Sequence, residues 1–90
     1  MDDTSLPGSD LVAKGVGDLE RGRVTIEALL VSIGAPRLRA LFPDMAAALP
    51  DADLRLYAML TESHADAAHS RYNALLRRLV SYERAAACAR

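Results

Sequence analysis

The residues able to do chemistry in this 90-residue chain are few, and their spacing limits what they can do. His64, Asp66 and His69 offer imidazole and carboxylate ligands for a metal ion. The two histidines are five apart, which sets them about 140° apart around a helix, whereas two ligands facing one ion want spacings of three or four. Lys14-Gly15-Val16-Gly17 has the start of a phosphate-cradling turn, but Glu20 stands where GxGxxG needs its third glycine, and GxxxxGK[ST] does not occur. The single cysteine, Cys88, lies in an alanine-rich stretch with Arg84, four residues earlier, as its one nearby activating charge. No G-x-S-x-G elbow frames a serine nucleophile. These patterns predict a protein that is not an enzyme and holds neither cofactor nor metal.

The arginines are the more informative set. Arg77 and Arg84 are seven apart, as are Arg71 and Arg78, so each pair shares one line of a helix. Arg71 and Arg78 flank an apolar seam, where their alkyl stems can cover apolar surface while the guanidinium groups reach acidic partners. Arg77 and Arg84 lie opposite that seam. With Arg37 and Arg39 they are the candidates for contact with an anion or a nucleic acid. Arg37 and Arg39 begin the second segment of a helix-turn-helix-like stretch over 25–42, the place from which such motifs read base edges. Pro43 leaves that second helix barely two turns, and the surrounding sequence is acidic, which weighs against DNA. Tyr57, Tyr72 and Tyr82 are expected at the edge of the core, with their hydroxyls turned to solvent or a carbonyl.

Charge is uneven along the chain although the net value is −1. Residues 1–63 carry four more acidic than basic groups, and residues 64–90 carry three more basic than acidic groups. Whole-chain attraction to polyanions is not expected, and the two halves can attract each other within the fold.

Several helices must position these groups. The composition is 51% hydrophobic and 26% charged, which is globular. Only 4% is aromatic, and Ala and Leu dominate the apolar content, so helix is favoured throughout. Residues 1–8 read as a disordered leader before one helical domain over 9–90. Ser9 is placed to cap a first helix carrying Val12, Val16 and Leu19, with Gly22 to stop it and Gly15 and Gly17 inside it. Thr25 caps a second, striped by Ile26, Leu29, Leu30 and Ile33 and ended by Gly34. Pro36 opens a third through Leu38, Leu41 and Phe42, closed by Pro43. One further turn is expected through Met45 and Ala48. Pro50 and Asp51 open a fourth, with Leu54, Tyr57 and Thr61 on one line and Leu56 and Leu60 on another. Ser63 and Asp66 resemble a capping box for a last helix of about 24 residues, or roughly 36 Å. Its seam runs through Ala65, Ala68, Tyr72, Leu75, Leu79, Tyr82, Ala86 and Ala89.

The expected architecture is all-α, a small orthogonal bundle of four to five helices with a long C-terminal helix. Leu76 and Val80 lie about 80° and 120° off the seam, so the last helix has more apolar surface than one partner needs. Tyr72, Leu75, Leu76, Leu79, Val80 and Tyr82 are its candidate interface. The leading expectation is a non-catalytic helical interaction module, self-associating as a homodimer or binding another helical protein. A small DNA-binding regulator and an accessory subunit of a larger enzyme are the alternatives. One cysteine, an acidic start and no long apolar run point to a cytoplasmic protein without a membrane partner. The Ala- and Arg-rich composition points to a GC-rich bacterial genome, which is codon usage rather than function.

Overall fold

A computed structural model describes residues 6–89, with the side chain of residue 89 excepted. The chain forms α1 (Ser9–Glu20), α2 (Ile26–Ile33), α3 (Ala35–Leu38), α4 (Ala52–Ser63) and α5 (Ala68–Ala89), with no strand among the described residues. The all-α fold with a long last helix is thus as the sequence predicts. No helix among them is long and apolar enough to cross a membrane.

The hub is α2, which touches all four other helices. Ala28, Leu29, Leu30 and Val31 are each fully buried, so this helix is covered on every side. Thr25 caps it as expected, its Oγ1 accepting from the Ala28 amide at 3.1 Å. The first helix departs slightly from expectation. Its N-cap is Gly8, at φ 77°, and Ser9 is already helical. Gly8 lies against the backbone of α5, where an added Cβ would sit 2.8 Å from the Arg78 carbonyl oxygen. Leu6, within the expected leader, packs against the core, and residues 1–5 lie outside the described part.

Three further expectations are corrected. The third helix is a single turn. Beyond Leu38 the chain tightens through a Leu41 amide to Leu38 carbonyl bond of 2.9 Å, and Pro43 offers no amide to continue. Residues 44–50 form no helical turn through Met45 and Ala48. Met45 is buried and the Leu49 amide donates to Ser32 Oγ at 3.0 Å, so side chains of the core and of α2 tie this segment down. The capping box at Ser63 and Asp66 is absent. Ser63 ends α4, its hydroxyl donating back to the Met59 carbonyl at 3.0 Å, and a turn over 64–67 separates it from α5.

The 22 residues of α5 span about 33 Å of a molecule 38 Å in its longest dimension. The seam is core: Ala68, Leu79, Tyr82 and Ala86 are buried, and Tyr72 and Leu75 are half-buried beside them. Ala65 falls outside the helix. Ala86 is buried, so α5 packs on the domain as far as its last turn, where Ala87 and Cys88 are exposed.

Between α1 and α2 lies a polar cluster that the sequence reading missed. The buried Asp18 carboxylate accepts from Lys14 Nζ at 2.8 Å and from Thr25 Oγ1 at 2.7 Å. One carboxylate thus anchors the residue that caps α2. The Lys14 and Thr25 hydrogen bonds hold the Asp18 carboxyl below its ordinary 3.8. The same Asp18 bond raises Lys14 above its ordinary 10.5. A depressed carboxyl contributes stability that is present above its unfolded value and is lost as pH falls through the folded one. A raised lysine contributes stability that is present below its unfolded value and is lost only in strong alkali. The wild-type chain should therefore lose stability below about pH 4, and Asp18→Asn should flatten that acid limb in urea titrations run from about pH 2 to about pH 6. An unchanged acid limb in the variant would remove Asp18 from this role.

Candidate interaction surface on the C-terminal helix

The six residues expected at an interface divide by burial. Leu79 and Tyr82 are buried and serve the chain's own core, so they present no surface to a partner. Tyr72 and Leu75 are half-buried against the core. The ring of Tyr72 meets that of Tyr57 edge to face, with centroids 5.5 Å apart and planes at 64°. Leu76 and Val80, on the flank of α5, are half-buried as well, and Leu76 also packs against the core.

Two concavities meet at these two side chains. An open trough of about 680 Å³ runs along the outer face of α5, lined by Asn73, Leu76, Arg77, Val80 and Arg84 among others. A neighbouring groove of about 440 Å³ lies between α5 and the α2–α3 corner, where Ile33 and Pro36 face Leu76 and Val80. The corner fits closely because an added Cβ on Gly34 would lie 3.0 Å from Leu79. Lys14 and Asp18 line neither concavity.

The four candidate arginines also divide. Arg39 donates to the carbonyls of Met45 and Ala46 at 3.1 and 3.2 Å, which ties it to the segment before α4. Arg37 lies 3.5 Å from Glu83 on α5. Together with the single turn of α3, these contacts make residues 25–42 a helical corner. Arg77 and Arg84 have no hydrogen-bond or ion-pair partner among the described residues. Arg78 reaches Asp10 on α1 at 3.2 Å, one link between the basic last helix and the acidic front of the chain.

The remaining reactive groups are dispersed. His64 is the exposed C-cap of α4, and the ring of His69 lies 3.1 Å from the Asn73 amide nitrogen, one turn along α5. Cys88 is exposed and free. Among the described residues no three His, Cys, Asp or Glu side chains are grouped to hold a metal ion. The surface is suited to burying apolar area against another surface, with charges at its edges. Comparison with protein-family models, curated proteins and solved structures finds no match for this chain.

Proposed function

We propose that the protein is a non-catalytic interaction module that pairs with a second copy of itself through the flank of α5 carrying Leu76 and Val80. The observation that carries this reading is the groove in which half-buried Leu76, Val80 and Ile33 and exposed Pro36 still present apolar surface beside the seam that fills the core. Full burial of a Leu or Val contributes about 1.5–3 kcal/mol, and a symmetric pair makes each contact twice. Half-buried side chains contribute less each, so the affinity expected is that of a moderate dimer.

Light scattering under reducing conditions tests this. The wild-type chain should show about twice its 9.7 kDa mass. Leu76→Glu and Val80→Glu should each raise the dimer dissociation constant about 100-fold or more, because each introduces a charge twice at a desolvated centre. Far-UV circular dichroism should stay unchanged for Val80→Glu, the residue farther from the seam. A monomeric wild type, or a Val80→Glu variant that dimerises as tightly as wild type, overturns the reading.

A further inference from the structure

The charges around the apolar strip are sorted by sign. On one side, Leu76 and Val80 share the outer trough of α5 with Arg77 and Arg84. In the middle, the same two side chains share a groove with Ile33 and Pro36. On the far side, Ile33 lines a third concavity with Leu49, Asp51 and Asp53, at the start of α4. The order across the surface is therefore a basic rim, a centre of apolar side chains that also holds the internally paired Arg37 and Glu83, and an acidic rim. All four rim residues are exposed, and none has a side-chain hydrogen bond or ion pair among the described residues. Other charges nearby do pair within the chain, Arg37 with Glu83 and Arg78 with Asp10.

A surface of this kind is complementary to itself. A two-fold axis through the apolar centre lays the basic rim of each copy on the acidic rim of the other, so one arrangement satisfies both rims twice. A two-fold that crossed α5 directly on α5 would instead bring Arg77 and Arg84 of one copy towards the same arginines of its partner, and like charges in contact disfavour that register. We propose that the occupant of the strip is a second copy held in the first register, with Arg77 and Arg84 of each chain facing Asp51 and Asp53 of the other. The inference rests on the pairing reading above and adds its orientation. Exposed ion pairs contribute little affinity, so the rims select the register while the apolar centre supplies the attraction.

Complementary charge reversal tests it. One variant carries Arg77→Glu and Arg84→Glu. The other carries Asp51→Asn and Asp53→Lys, with Asn chosen at position 51 because its φ of 51° suits Asp or Asn. Each variant alone places like charges on both rims, so each homodimer should weaken about tenfold or more at low salt and recover partly at high salt. Mixed one to one, the two should form a heterodimer close to wild type in affinity, because both rims are then restored. Native mass spectrometry separates the heterodimer from the two homodimers, and far-UV circular dichroism confirms that each variant is folded. If the wild type dimerises and Val80→Glu splits it, yet the charge variants pair as wild type or the mixture recovers nothing, this register is wrong and the pairing reading stands. If the wild type is monomeric, both fall together.

Discussion

Leu56→Ala should lower the free energy of unfolding by about 2–5 kcal/mol, whereas Leu54→Ala, two residues away on the same helix, should change it by less than about 0.5 kcal/mol. The chemistry of the two substitutions is identical, so the difference measures position alone. Leu56 is 0% exposed and lies in line with Ala52 and Leu60 towards the core. Removing three of its carbons leaves a cavity that neighbouring side chains close only in part. Leu54 is 69% exposed and loses little on truncation. A 90-residue domain holds about 5–13 kcal/mol in total at about 0.05–0.15 kcal/mol per residue, so the Leu56 loss is a large share of it. Urea titrations of the two variants against wild type decide the matter. A larger loss for Leu54→Ala than for Leu56→Ala would mean that α4 presents its other line to the core.

That pair also marks how far the sequence is legible. Helical period in α4 is plain from the spacing of its apolar residues, yet two lines satisfy it, Leu54–Tyr57–Thr61 and Leu56–Leu60. Which line is buried depends on α2, packed against α4 from a distant part of the chain, and periodicity alone carries no such information. The buried line proves to be the second, while Tyr57, at 40% exposed, rests on Tyr72 from outside. In α2 the expected stripe of Ile26, Leu29, Leu30 and Ile33 locates the helix correctly. The burial pattern differs, because Ala28 and Val31 are as deeply buried as the leucines while both isoleucines are only half-buried against the core. A helix enclosed on all sides has no polar face for a stripe to reveal.

The polar contacts were less legible than the apolar ones. Thr25 as a cap could be read from type and position, since a capping hydroxyl acts within three residues. Asp18 could not, because its bond to Thr25 spans the turn between α1 and α2. The one signal available was an acidic residue seven before a cap and four after a lysine, which many exposed helices also show. At Ser63 local reasoning failed for a related reason. Serine can cap a following helix or bond back into its own, and here α4 runs far enough to claim it. The candidate interface was legible in angle and illegible in burial. The offset of Leu76 and Val80 from the seam follows from 100° per residue. That Leu79 and Tyr82 are spent on the chain's own core follows only from the packing of the other helices.

Two glycines in α1 that read alike in sequence should respond to alanine with opposite signs. Gly15→Ala should destabilise the protein, and Gly17→Ala should stabilise it. Alanine gains about 1 kcal/mol over glycine within a helix, and this gain applies at both positions. At Gly17 an added Cβ meets only the guanidinium end of Arg21, at 3.1 Å, and that flexible side chain can swing aside. The helical gain should therefore be largely kept. At Gly15 the added Cβ would overlap the carbonyl oxygen of Glu27 and lie 2.6 Å from Val31 Cγ1. The obstacle is the backbone of α2, which is buried on all sides and cannot yield without disturbing the core. Overpacking of this kind costs about 1–3 kcal/mol, and more when a backbone must shift, which outweighs the helical gain. The loss should grow with side-chain size, so Gly15→Val should be worse than Gly15→Ala, and thermal midpoints of the three variants provide the measurement. Gly15→Ala with a raised midpoint would show that α1 and α2 stand farther apart than a missing Cβ allows. The lowered midpoint expected here would assign Lys14-Gly15-Val16-Gly17 to helix packing, with Lys14 held by Asp18 on one side and Gly15 seated on α2 on the other.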